Sequence, residues 1–359
     1  MAQDSSDNQN IETVVSGYRL LRGLGRGNTS RVYLAEKIEL AEPDTVAVVR
    51  AGTRVALKLP LPGTLADQAA AERFANEVRL TLQFRHPHLV VGLDGTPFGP
   101  GTFLALHHYP GDTLARQLRA VPLTLNATLQ VLADVASGLA YLHHAGAVHQ
   151  DVKTQNVYLE DGETPGLFRA ALGDFGSTYF QAQGGQVSGS PFYMAPEVYQ
   201  GEMTGPPSDV YSFGVMAHEL LTGERPHLGE SYESLMVSHL TRFPTPLNIE
   251  GLPRPLARLL DSALAKRPAD RPGAATLRRT LLQSLGQADE TGEAVQEQAP
   301  APAVNRASVG RHGPDSAPVR PATFPQSSQS GGPQGGGRSG DPSPGPPEKR
   351  GWNPFKKKK

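Results

Sequence analysis

The stretch His149-Gln150-Asp151-Val152-Lys153-Thr154-Gln155-Asn156 follows directly on a segment ending Tyr141-Leu142-His143-His144. A carboxylate, then a lysine and an amide close behind it, fit one compact loop that could orient a proton, clamp a negative charge and ligate a metal. A short connection later, Leu172-Gly173-Asp174-Phe175-Gly176 offers a second metal-binding carboxylate beside a glycine. Upstream, Lys58 ends the apolar run Val55-Ala56-Leu57, and Glu77 closes Arg73-Phe74-Ala75-Asn76-Glu77. An ion pair between them could hold an ammonium against a phosphate. Gly25-Arg26-Gly27-Asn28-Thr29-Ser30-Arg31-Val32 could bring backbone N–H groups close to phosphate oxygens, since glycine puts no Cβ in the way. Each signal has a plainer reading when taken alone: a Gly-rich β-turn, an edge-strand lysine, a polar loop, a chance tripeptide.

Positioning such residues needs strands before helices. Tyr18, Leu20 and Leu21, a Gly-rich turn and then Val32, Tyr33 and Leu34 read as a hairpin. The strand after the glycines disfavours a dinucleotide fingerprint, which requires a helix there. A third strand carries Lys58. Residues 67 to 84 contain no Gly or Pro and place Phe74, Val78 and Leu82 at helical spacing. Strands return at residues 103 to 106. After Gly111 the pattern turns helical, at residues 125 to 144, 208 to 222, 254 to 265 and 274 to 285. The class is therefore α+β, a small sheet with one main helix followed by a mainly α part.

Residues 1 to 16 read as a polar leader, with no apolar stretch of the kind a secretory signal needs. From 287 to 359 the composition is Pro, Gly, Ser, Gln and Ala, which cannot offset backbone entropy by burial, so a disordered tail is expected. The chain has no cysteine, which excludes disulfides, thiolate zinc sites and a cysteine nucleophile. A net charge of -1 excludes a generally basic nucleic-acid binder, and no specific nucleic-acid partner is expected. No run of about 18 apolar residues is present, so a cytoplasmic location is expected, with peripheral placement at the inner face of a membrane as an addition. That addition rests on Lys349, Arg350, Lys356, Lys357, Lys358 and Lys359 with Trp352 and Phe355. Two readings of this end stand side by side: a solubilising or nonspecifically nucleic-acid-binding terminus, and weak, salt-sensitive contact with an anionic membrane surface.

In order and spacing these elements, together with Tyr193-Met194-Ala195-Pro196-Glu197 and Asp209-Val210-Tyr211-Ser212-Phe213-Gly214, resemble the eukaryotic-like Ser/Thr protein kinases of bacteria. The resemblance runs from Tyr18 to about Leu285. It implies a bilobed kinase fold over residues 17 to 286, with a β-rich N-lobe at about 17 to 106 and an α-rich C-lobe at about 110 to 286. It implies transfer of the γ-phosphoryl of ATP, with Mg²⁺, to Ser or Thr hydroxyls of protein substrates, and autophosphorylation. Leu24, Gly25, Gly27, Val32 and Ala56 would then meet the nucleotide, along with His107 and Tyr109 at the hinge beside the gatekeeper Leu106. Lys58, held by Glu77, would bind the α and β phosphates. Asp151 would take or orient the acceptor proton, Lys153 would sit near the γ-phosphate, and Asn156 and Asp174 would ligate the metal. Phe175 would set the position of Asp174, Glu197 would pair with Arg271, and Asp209 would brace the catalytic loop. Lys153 and Ser190 both favour Ser/Thr as acceptor over Tyr.

Three departures stand out. Gln150 replaces the usual arginine, which removes the cation that meets an activation-loop phosphate, so activity without loop phosphate is expected. Tyr158 replaces an aliphatic residue at the floor of the adenine pocket. Residues 39 to 54 form a longer link than usual, read as an extra hairpin of unassigned role. The alternative function class is a pseudokinase or ATP-binding scaffold, which usually lacks one of the residues found here as Lys58, Asp151 and Asp174. His86, His88, His143, His144, His218 and His239 show no spacing with carboxylates that suggests a metal site, and packing or exposure is expected of them. Substrates, upstream signal and oligomeric state are not legible.

Overall fold

The computed structural model describes residues 13–38, 49–162, 164–183 and 189–289. Most of the leader, the tail beyond Asp289, and residues 39–48 of the expected extra hairpin lie outside them. A six-stranded antiparallel sheet opens the fold, in the order β1-β2-β3-β4-β6-β5. Its strands are β1 (Val14–Val15), β2 (Tyr18–Arg26), β3 (Ser30–Lys37), β4 (Arg54–Pro60), β5 (Gly92–Thr96) and β6 (Phe103–His107). β1 is a correction to the reading of residues 1 to 16 as a polar leader: Val14 and Val15 pair with Arg19 and Tyr18. Two valines are too short a run to show a strand period.

The period of two along β4 sets the site. Val55 and Leu57 are fully buried on one face, in a core with Tyr18, Ala35 and Phe103, which leaves Ala56 and Lys58 to the opposite face. A short helix α1 (Pro62–Ala66) precedes α2 (Gln68–Gln83), whose first turn is capped by Asp67 accepting from Ala70 N at 2.9 Å. α2 packs Phe74 and Val78 on Leu104 of β6.

The C-lobe surrounds α4 (Leu125–His144), which follows α3 (Leu114–Ala120). Fourteen residues of α4 are buried on all sides, which makes it a central helix rather than an amphipathic surface one. Around it lie α5 (Pro196–Tyr199), α6 (Pro206–Thr222), α7 (Tyr232–Thr241), α8 (Arg254–Ala263) and α9 (Ala274–Ser284). Two strand pairs present the catalytic loops: β8 (Val157–Asp161) with β9 (Phe168–Leu172), and β7 (Ala147–Val148) with β10 (Tyr179–Phe180). Gln287 and Asp289, expected in the tail, are bonded to Gln130 and Arg278 and so belong to the folded part.

Candidate active site

A cleft of about 610 Å³ lies between the sheet and the helical part. Leu24, Gly25 and Gly27 line it from the β2–β3 turn, Val32 and Ala56 from the sheet, and His107 and Tyr109 from the hinge. A Cβ on Gly25 would meet nothing within 4 Å, and one on Gly27 nothing nearer than 3.7 Å. The protein's own packing thus does not demand glycine there. What the bare backbone provides is room for a ligand to approach its N–H groups.

Lys58 donates to Glu77 Oε1 of α2 at 2.5 Å and lies 4.0 Å from Asp174 Oδ1. Burial opposes charge on the ammonium, but the Glu77 and Asp174 carboxylates outweigh it and hold Lys58 above its ordinary value. Burial likewise opposes charge on Asp174, yet the Lys58 and Lys153 ammoniums hold its carboxyl below the usual range. Asp174 takes a left-handed backbone with φ 68°. This turns the chain so that Phe175 is buried against Phe84 and His149, with ring centroids 5.6 and 5.5 Å away.

The loop from His149 to Asn156 hangs on one buried carboxylate. Asp209 of α6 accepts from the backbone N–H groups of His149 and Gln150, both at 2.8 Å, and from His143 Nε2 at 2.9 Å. His149 donates Nε2–H to the Gly173 carbonyl at 3.1 Å, and burial lowers its imidazole pKa against the pull of the Asp209, Asp151 and Asp174 carboxylates. On this frame Asp151 Oδ2 accepts from Lys153 Nζ at 2.6 Å and Asn156 Nδ2 at 3.1 Å. Asp151 Oδ1 accepts from Ser190 Oγ at 2.9 Å, and Lys153 Nζ also donates to that hydroxyl at 2.8 Å. A carboxylate and an ammonium thus share one serine hydroxyl.

Asn156 and Asp174 offer oxygen donors, which suits a hard cation such as Mg²⁺ that takes few protein ligands and fills its shell with phosphate oxygens and water. Among the described residues no group of three or more His, Cys, Asp or Glu could hold a metal.

The sequence reading missed Asn76. It donates from Nδ2 to the Thr178 carbonyl at 2.7 Å, tying α2 to the segment behind Asp174. Its place beside Glu77 carries no signal that a pattern could reveal. Gln150 donates to Thr204 Oγ1 at 2.6 Å, and Tyr179 Oη donates to the Thr204 carbonyl at 2.5 Å. Neutral hydrogen bonds thus stand where an arginine would need an anion. Glu197 and Arg271 pair as expected, through two bonds of 2.7 Å.

Comparison with known proteins agrees with this geometry. The family model described as the protein kinase domain matches residues 18–281. The serine/threonine-protein kinase PkaA of Streptomyces coelicolor is 33% identical over 277 residues, 76% of this chain and 50% of that protein. PkaB of the same organism is 34% identical over 280 residues, 75% of this chain and 63% of its own length. PknB of Mycobacterium tuberculosis is 31% identical over 266 residues, 71% of this chain and 40% of that one. The chain therefore spans between 40% and 63% of the length of these relatives. Helix-framed catalytic loop, lysine–glutamate pair and matched span together make this chain a member of the protein kinase family, of the eukaryotic-like bacterial Ser/Thr kind.

Proposed function

We propose that residues 17 to 286 form an active catalytic unit that transfers the γ-phosphoryl group of ATP, with Mg²⁺, to Ser and Thr hydroxyls of protein substrates. The observation that carries this reading is the serine hydroxyl held between Asp151 Oδ1 and Lys153 Nζ. An acceptor hydroxyl that replaces Ser190 there finds a carboxylate for its proton and an ammonium for the charge that develops. Its oxygen bonds to the γ-phosphorus, the bond to the β–γ bridging oxygen breaks, ADP leaves, and the proton passes to Asp151. Lys58, fixed by Glu77, holds the α and β phosphates; Asn156 and Asp174 would hold Mg²⁺, which when bound offsets phosphate charge. Lys58, Asp151 and Asp174 are all present and converge, which favours catalysis over the scaffold reading.

The test is Asp151→Asn. Its ATP affinity, measured by calorimetry, should stay close to wild type, while transfer from γ-labelled ATP falls by roughly two orders of magnitude or more. A variant that keeps most of the wild-type rate would disprove the role of Asp151.

We further propose weak contact of residues 349 to 359 with anionic membrane. Six basic side chains at about 1 kcal/mol each give at most ~6 kcal/mol, a transient tether of roughly tens of micromolar affinity. Co-sedimentation should show salt-sensitive binding to anionic but not neutral vesicles, lost on removal of this segment. Equal binding to both vesicle types, or no loss on truncation, sinks the idea.

A further inference from the structure

Thr204 stands in the turn between α5 and α6, and both its hydroxyl and its carbonyl are in use. The hydroxyl accepts from Gln150 Nε2 at 2.6 Å, and the carbonyl accepts from Tyr179 Oη at 2.5 Å. Tyr179 Oη also lies 3.0 Å from the Thr204 hydroxyl. One proton assignment satisfies all of these contacts: the phenol gives its proton to the carbonyl, so the threonine hydroxyl donates to the phenol oxygen. Thr204 thus joins Gln150 of the catalytic loop to Tyr179 of β10, which pairs with Val148 of β7. The base beneath it is firm. Gly205 N donates to Ser208 Oγ at 3.1 Å, Ser208 Oγ donates to Glu197 at 2.8 Å, and Glu197 is held by Arg271. Gln150 itself is buried, has its backbone N–H on Asp209, and stands next to Asp151. Gly189 rests on the same residue: a Cβ there would come 2.9 Å from the Gln150 carbonyl oxygen, so backbone lies directly on backbone.

We propose that Thr204 is a positioning residue for the transfer step, its hydroxyl locking the catalytic loop to β10 through the chain Gln150–Thr204–Tyr179. The proposal rests on the kinase reading of the site and adds to it a device that keeps the acceptor side in register. Ser190, whose hydroxyl marks the acceptor seat between Asp151 and Lys153, follows Gly189 directly, so play at Gln150 is passed to that seat. None of the three locked side chains lines the nucleotide cleft. Loss of the lock should therefore harm acceptor placement and spare ATP binding. The lock is made of uncharged groups whose bonds are directional, so it fixes geometry without any change of charge. Valine has the shape of threonine without the hydroxyl, and it tests the lock rather than the packing.

The experiment uses the phosphatase-treated full chain and measures two things: the initial rate of autophosphorylation from γ-labelled ATP with Mg²⁺, and the Kd of ATP by calorimetry. Wild type is compared with Thr204→Val, Thr204→Ser, Tyr179→Phe and the double variant that joins Thr204→Val to Tyr179→Phe. Thermal melts identify which of them fold. Thr204→Val should slow transfer roughly 5- to 50-fold with ATP affinity unchanged, while Thr204→Ser, which keeps the hydroxyl, should stay within about threefold of wild type. Tyr179→Phe should also slow transfer. The double variant should lose less than the product of the two single losses, because both substitutions cut the same Thr204–Tyr179 bond. Amide hydrogen exchange at Thr178 and Tyr179 should quicken in Thr204→Val and not in Thr204→Ser, a local change that a general loss of stability would not confine there. The proposal fails if folded Thr204→Val, or Tyr179→Phe where the valine variant does not fold, keeps the wild-type rate. It fails equally if ATP affinity falls as far as the rate, if serine loses as much as valine, or if the single losses multiply in the double variant. A folded wild type that passes the label neither to itself nor to water would overturn the kinase reading, and the proposal with it.

Discussion

Two buried ion pairs of this domain are built in opposite ways. Arg271 sends five N–H bonds to protein acceptors: Nε to the Ala265 carbonyl, and its terminal nitrogens to Glu197, the Pro207 carbonyl and the Lys266 carbonyl. Its side chain is fully buried, and Glu197 also accepts from Ser208. Nothing on that guanidinium is left for a ligand. Lys58 makes one hydrogen bond among the described residues, to Glu77, and its side chain is still 15% exposed, to the cleft. A saturated pair holds the fold together; an unsaturated one keeps donors in reserve. Hydrogen-bond count, rather than burial, separates the structural pair from the functional one.

The sharpest way to break this comparison is to truncate each cation. Lys58→Met should cut phosphoryl transfer by two orders of magnitude or more, roughly, since phosphate placement is lost, while stability falls little because Glu77 borders the cleft and can take up a proton. Arg271→Ala should cost about 3–5 kcal/mol in denaturant unfolding, as the Glu197 carboxylate is left buried and unpaired. Its rate per folded molecule should stay near wild type. Equal destabilisation by both substitutions would erase the distinction.

Acid sharpens the contrast on the structural side. His239 and His227 are buried beside Lys266, whose carbonyl Arg271 uses. Burial lowers them, with the neighbouring Lys266 ammonium adding to it, to about 2 for His239 and about 3 for His227. Folded values below the unfolded one mean that the unfolded chain binds more protons. Stability from these neutral rings is thus present above about pH 6.5 and is lost as pH falls toward their folded values. Unfolding free energy should drop by a few kcal/mol between about pH 7 and 4.5, and His239→Gln should flatten that slope. An unchanged slope in the variant would contradict the assignment.

The smallest expected effect is none. Gln150 and Thr204 are neutral partners, so phosphatase treatment should leave the initial rate on an added substrate within about twofold, since Gln150 cannot reward a loop phosphate as an arginine would. A loss of orders of magnitude would mean that a different cation reads the loop.

Much of this site was legible because its chemistry resides in residue types at short spacing. Asp151, Lys153 and Asn156 share one loop, and Glu77 follows Lys58 by one helix. The N- and C-terminal limits of α2 and α4 were close to legible too, since both have long uninterrupted patterns. What stayed hidden depends on contacts between distant segments. β5 contains Gly92 and Gly95, where a Cβ would come within 2.7 Å of Thr81 O and 2.9 Å of Val78 Cγ1, so close packing on α2 dilutes the strand pattern. α7 is rich in polar residues and begins at a serine cap, Ser231 accepting from Ser234 N. The sharing of Ser190 by Asp151 and Lys153 needs the activation segment folded back over the loop, which no local pattern expresses.

The position of α4 bears on how the chain is made. Its buried surface is covered by α6 and β9, and also by α9, the last helix of the described fold. During synthesis α4 leaves the ribosome long before α9, and in that interval a helix apolar on nearly every side lacks part of its cover. The N-lobe sheet, complete at His107, can close earlier on its own core. The emerging polypeptide thus offers chaperones a long central helix, and release of Ser284 from the exit tunnel is the event that lets the lower half seal.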